Sequence, residues 1–306
     1  MGLDIFDHDW KELLHLKRLK NADQPCVTLP PEILFEIFNR CRPPWNPDPR
    51  LEYDFCHVSK PYSWQIITHI CHRWRDVALC SSALWNEIHF HASSRFPVLM
   101  IERSRDTALH VRVCDQWRSG QAQARISSLL KANLHRIRTM NFTCRDDDDI
   151  LLFKFIMPGN PAPLLETIFA DFRSHEMNCR SPFTGSLDQI MPAAPNLATL
   201  VIQSTMLDIS WQRLPSSLTK LIIEADRIWS AKTTFMESVL LMLERVPSLQ
   251  DLELVRCDST GGDYSSCPAM VTLSSLRRLQ LSMSNAHRLA QFLSRLSIPQ
   301  IGRAHV

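Results

Sequence analysis

Clusters of cysteine, histidine and carboxylate are where chemistry would sit in this chain. Cys56-His57 and His69-x-Cys71-His72 hold metal-ligating residue types. They lack the paired CxxC or HxxxH spacing of a structural zinc site. His69 and His72 read instead as solvent-facing helix residues. His89-x-His91 places two imidazoles on one face of a strand, one ligand short of a site. Asp146–Asp149 lacks the alternation and terminal Glu of a calcium loop and reads as a solvated turn. The chain has 7 glycines, where average usage gives about 21. No GxGxxG, GxxxxGK[ST] or GxSxG is among them, so the common phosphate cradles and the nucleophile elbow are missing. Spacing assembles no Ser/His/Asp or Cys/His set. These residues imply no catalysis, no cofactor and no metal.

The 306 residues are 45% hydrophobic and 22% charged, an ordinary globular balance. The net charge of +2 gives no electrostatic footprint for nucleic acid or an anionic membrane. The N-terminus lacks the basic and apolar regions of a signal peptide. No apolar run approaches the ~18 residues of a spanning helix. The 10 cysteines contain no CxxC and read as reduced, mostly buried thiols. A cytoplasmic or nuclear location follows, which makes the sequon at Asn141-Phe142-Thr143 idle.

Several elements can be placed. Trp10, Leu13, Leu14 and Leu16 lie among Lys and Glu, predicting an amphipathic helix over 10–20. Pro30-Pro31-Glu32 is a helix start that runs to about Cys41. Its residues Ile33, Leu34, Ile37, Phe38 and Cys41 share one face. Prolines 43, 44, 47 and 49 enforce a loop extending to about Ser63. A second helix is expected over 64–80, with Ile67, Ile70, Trp74, Val77 and Ala78 on one face. Leu84 and Trp85 follow as large anchors. Residues 95–113 are expected to form one or two leading strands.

Beyond residue 95, L-x-x-L-x-L motifs start at 137, 165, 197, 218, 249 and 276, separated by 28, 32, 21, 31 and 27 residues. That spacing lies in or just above the period of leucine-rich repeats, about 20–29 residues. The intervening stretches 126–134, 235–246 and 289–296 carry helical apolar faces. A strand-and-helix unit that cannot bury its own face needs stacked neighbours, which predicts an irregular solenoid. The competing reading is an irregular α/β domain whose strands only look periodic. In a solenoid the outward strand positions form the concave, partner-binding face. They would be Thr139, Asn141, Thr167, Phe169, Asp171, Thr199, Val201, Gln203, Lys220, Ile222, Glu224, Asp251, Glu253, Val255, Arg278, Gln280 and Ser282. The mixed charge of this face suits a protein partner. The tail SIPQIGRAHV holds no polar cap, so an exposed apolar edge is expected near the last motif, as in a truncated chain.

The run Leu29-Pro30-Pro31-Glu32-Ile33-Leu34-x-x-Ile37-Phe38 resembles the opening of an F-box. Ile67-x-x-Ile70-Cys71-x-x-Trp74-Arg75-Asp76-Val77-Ala78 resembles its second half, and Leu84-Trp85 its end. The long 42–63 loop and Ser82, where this group often has proline, depart from the pattern. With the repeats, the arrangement is similar to fungal F-box proteins. The implied organisation is a helical segment over 1–25, a small all-helical F-box-like module over 26–91 and a leucine-rich-repeat solenoid over 92–306. The resemblance implies a subunit that binds a Skp-type adaptor, and through it a cullin, and holds a protein substrate for ubiquitination. The adaptor would meet Leu29, Pro30, Pro31, Ile33, Leu34, Ile37, Phe38, Ile70, Trp74, Leu84 and Trp85. Leu29 and Pro30, ahead of the helix, are the purest interface candidates. The alternatives are an F-box protein acting outside ubiquitination and a scaffold whose helices only cap the repeats.

Overall fold

Ahead of six of the strands an apolar residue buries its side chain and donates its N–H to the carbonyl three residues back. The pairs are Ile137 to Leu134, Leu165 to Ala162, Leu197 to Ala194, Leu218 to Pro215, Leu249 to Val246 and Leu276 to Leu273. A strand begins at that residue or two residues beyond it. The computed structural model describes residues 4–22, 24–45, 62–90, 96–114, 120–143, 160–172, 193–207, 214–228, 235–257, 270–283 and 285–299. The strands after the turns are β3 (Ile137–Thr143), β4 (Thr167–Phe172), β5 (Thr199–Leu207), β6 (Lys220–Ile228), β7 (Asp251–Val255) and β9 (Arg278–Ser282). They join β1 (Glu87–Phe90) and β2 (Leu109–Cys114) in one eight-stranded sheet, ordered β1-β2-β3-β4-β5-β6-β7-β9. Every register from β2 to β9 is parallel. A separate parallel pair joins β8 (Val271–Thr272) to β10 (Leu296–Ser297).

Side chains on the turns tie β4 to β5, β5 to β6 and β6 to β7. Asn196 donates to the Pro163 carbonyl (2.7 Å), Ser217 to Leu197 (2.8 Å) and Ser248 to Leu218 (2.9 Å). Each donor immediately precedes the apolar residue that closes its own turn. Turn height, and with it strand register, is thus fixed before the ladder begins. One face of the sheet is then apolar throughout. Met140, Ile168, Leu200, Leu221, Leu252 and Leu279 form one row, and Phe142, Ala170, Ile202, Ile223, Leu254 and Leu281 the next. All are buried, at about 1.5–3 kcal/mol for each large aliphatic or Phe side chain. The last motif is covered too, since Leu276, Leu279 and Leu281 are buried. Helices α6 (Gly120–Asn133), α7 (Phe235–Glu244) and α8 (Ala286–Ser294) occupy the stretches given helical faces.

The opposite face overturns the solenoid. Its central positions were expected to be open and concave, but Phe169, Val201 and Ile222 form a second buried cluster. Thr139, Asn141 and Gln203 are buried beside them. A parallel sheet buried on both faces through its middle strands is an α/β arrangement. The fold is therefore a large parallel sheet with helices, not a small helical module followed by a repeat solenoid. Two further elements depart from expectation. The last residues of the expected all-helical module form β1. Within 95–113 the chain makes helix α5 (Phe96–Arg103) before β2. Pro97 sits in the first turn of α5, where its missing N–H costs nothing, and Pro97 and Met100 bury one stripe.

The chain divides into two compact units. The first holds Met1–Asn46, His57–Ile88 and Phe96–Thr107, and the second Pro47–Cys56, His89–Arg95 and Ala108–Val306. Replacing Leu221 by Ala is expected to cost about 2–5 kcal/mol in urea unfolding. Ser248→Ala, which removes one tie between turns, should cost about 1 kcal/mol.

Candidate interaction surfaces

The first unit is built on α3 (Pro31–Cys41). Pro31 opens it, Glu32 lies in its first turn and Arg40 in its last, so local chemistry and dipole agree. Pro43 forces Arg42 out of helical geometry and ends it. Leu34 and Phe38 are fully buried. The Phe38 ring lies 5.1 Å from Trp74 of α4 (His72–Cys80). The expected single helix over 64–80 is two pieces: a 3₁₀ turn over Ser63–His69, then α4. The break is at Cys71, whose extended backbone caps α4 and whose Sγ accepts the Trp74 N–H at 3.5 Å. Trp64 meets Trp85 at 5.1 Å, and the Trp85 indole N–H donates to the Ala78 carbonyl at 2.8 Å. Leu84 is buried beside them.

Arg42 fastens this unit, and sequence patterning did not single it out. Its guanidinium donates to the Ala83 carbonyl (2.9 Å) and Asn86 Oδ1 (3.1 Å), and pairs with Glu87. It also lies over the Trp64 ring. Arg73 donates to the Leu29 carbonyl at 2.8 Å, holding the entry to α3 against α4.

The proposed adaptor residues therefore separate into two sets. Leu34, Phe38, Leu84 and Trp85 are core and not open for docking, and Trp74 is half-buried on Phe38. Pro30 and Pro31 are exposed and Leu29 is half-buried. Ile33 is 48% exposed, Ile37 36% and Ile70 53%. Ile66, at 69%, is exposed as well. It was missed because a continuous 64–80 helix keeps it off the apolar face, whereas the 3₁₀ turn does not bury it. Helix α1 (Asp4–Ala22) adds exposed Leu13, Leu16 and Leu19. Part of the 42–63 loop, Cys56-His57 and Asp146–Asp149 lie outside the described residues. His72 Nδ1 stands 2.7 Å from Asp76 Oδ2, one turn along α4. Among the described residues no group of His, Cys, Asp and Glu is placed to hold a metal ion. Among them, no helix is long and apolar enough to cross a membrane.

The sheet face proposed to take a substrate is graded. Val201, Gln203 and Ile222 are buried, so they are not a docking surface as the structure stands. Thr199, Lys220, Glu224, Asp251, Glu253 and Val255 are half-buried. Arg278, Gln280 and Ser282, on edge strand β9, are exposed. The half-open part alternates charge along its registers, with Lys220 beside Asp251 and Asp251 beside Arg278.

These two sets of α3 residues should respond oppositely to truncation. Phe38→Ala is expected to cost about 3–5 kcal/mol in chemical denaturation. Ile37→Ala, at the exposed stripe, should stay within about 0.5 kcal/mol of wild type. Comparison with family models, with curated proteins and with solved structures finds no match for this chain.

Proposed function

We propose that this chain is the substrate-recognition subunit of a cullin-RING ubiquitin ligase. It does no bond chemistry itself. Its first unit docks a Skp-type adaptor, and its sheet unit holds a protein substrate. Its contribution is orientation and effective concentration of that substrate near the conjugating enzyme. It works in the cytoplasm or nucleus, where such ligases act.

The observation that carries this reading is the apolar stripe left open on the first unit. Ile33 and Ile37 stand one turn apart on α3, and neither belongs to the core that Leu34 and Phe38 make. Pro30, Pro31 and half-buried Leu29 precede them. A contiguous exposed apolar surface flanked by polar residues is the usual mark of a protein partner. These are also positions of the F-box-like run, so exposure and resemblance agree on the same residues. For the substrate, the half-open strands β6, β7 and β9 supply charges of both signs, which favours a protein surface over nucleic acid.

The test is co-expression of the full chain with a Skp-type adaptor, followed by size-exclusion chromatography. Co-elution is expected, and Ile33→Glu with Ile37→Glu should abolish it while leaving thermal unfolding unchanged. A folded chain that never co-elutes, or one whose co-elution survives both substitutions, overturns the reading.

A further inference from the structure

The parallel sheet stops at β9, and the direction of the ladder bonds shows which groups that leaves over. Arg278 donates its N–H to the Gln250 carbonyl, and the Ser282 carbonyl accepts the Arg256 N–H. Alternate residues of β9 therefore bond toward β7. Strand alternation turns the N–H and C=O of Leu279 and Leu281 the other way. Among the described residues, no strand lies on that side. Such a row of backbone groups is a template for one more strand. The side chains mark the same end. Leu279 and Leu281 close the two apolar rows, and at 6% exposure each is the least buried member of its row. Arg278, Gln280 and Ser282 stand exposed on the second face.

Charge selects the guest. From residue 264 to 306 the sequence holds five arginines and no Asp or Glu. Arg288 and Arg295 have partners within the chain, and Arg303 lies outside the described residues. Arg277 and Arg278, at the start of β9, are both exposed. In register Arg278 stands beside Asp251, and Asp251 beside Lys220. That row keeps one positive charge in excess, and Arg277 adds a second. In the following rows Glu253 has a partner within the chain, and Glu224 pairs with Arg256. An added strand would lie about 4.8 Å from β9 and about 9.6 Å from β7. It would meet the arginines at roughly half the distance of Asp251 and Glu253.

We propose that the outer edge of β9 takes an extended acidic segment of a protein partner as a further strand, by β-strand addition. Calling that partner the substrate rests on the function proposed above; the binding itself does not. Guest residues level with Leu279 and Leu281 turn to the apolar face and are apolar. Those level with Arg278, Gln280 and Ser282 turn to the open face, with a carboxylate opposite Arg278. The guest therefore alternates, acids on one side and aliphatic residues on the other. A second copy of this chain suits the edge less, because its own β9 brings the same two arginines in place of carboxylates.

The test is fluorescence anisotropy of a labelled eight-residue peptide alternating Glu and Val, titrated with the full chain. Binding about five-fold tighter than that of the Gln/Val peptide is expected, as for an exposed ion pair, with the Lys/Val peptide weaker still. Of two Glu/Val peptides N-methylated at alternate residues, in opposite phase, one should lose binding about ten-fold and the other keep it. Arg277→Glu with Arg278→Glu should turn the preference to Lys/Val at unchanged thermal midpoint. Arg277→Gln with Arg278→Gln should erase it, and serves if the reversed variant misfolds. Equal binding of the Glu, Gln and Lys peptides overturns the inference. So does binding that both N-methylated peptides keep, and a Glu preference that survives the variants. No binding of the Glu/Val peptide means that the arginines only guard the edge against pairing, and overturns it as well. A dimer of the chain that the peptide does not dissociate means that a second copy holds the edge, with the same consequence. Adaptor co-elution of the arginine variants reports separately on the function proposed above.

Discussion

The stack of turns ahead of the strands is the constraint on which the second unit depends. In a parallel sheet a slip of one residue turns every side chain to the wrong face. Here the slip is prevented upstream. Each buried Ile or Leu closes a turn on the carbonyl three residues back, and Asn196, Ser217 and Ser248 bond the previous turn. The strands therefore enter the ladder already level, although the connections between them differ greatly in length. Long connections are tolerable because loop closure grows only slowly more costly with length. The turns, not the connections, carry the positional information.

Once the register is fixed, the composition of the second face follows strand by strand. Rows run Thr139, Thr167, Thr199, Lys220, Asp251, Arg278 and then Asn141, Phe169, Val201, Ile222, Glu253, Gln280. Both rows pass from buried toward exposed as they approach β9. The sheet thus changes character along its width: a two-sided core in its middle strands, a one-sided surface at its last ones. Exposed polar positions lie on the second kind of strand, and enclosed polar ones on the first.

How much of this was legible in the sequence depends on the face. Strand positions and their inward leucines were legible, because an apolar residue every second position specifies one buried face. The start of α3 was legible as well, because Pro31 and Glu32 are local signals. What covers the other face is not a local property, and the solenoid expectation failed there. A signal was nevertheless present. Ile168-Phe169-Ala170, Leu200-Val201-Ile202 and Leu221-Ile222-Ile223 are unbroken apolar runs, as strands buried on both faces are. Asp251–Val255 and Arg278–Ser282 alternate instead. Helix α5 and strand β1 were less legible, since short apolar segments do not reveal their period. Arg42 was illegible because Ala83, Asn86 and Glu87, which hold its guanidinium, lie more than forty residues away.

The first unit shows the same separation of core from surface on a single helix. Leu34 and Phe38 face inward, and Ile33 and Ile37 stand one residue earlier on the same two turns. The inner pair is buried, with Phe38 against Trp74, while the outer pair is left exposed. Burial of the four as a group would need another element of the chain or of a partner. Because the inner pair alone completes the core, the outer pair can answer to recognition without changing the fold. That independence makes α3 suited to docking. Its stability comes from Phe38 on Trp74, while the docking proposed above would be specified by Ile33 and Ile37, which contribute little to stability.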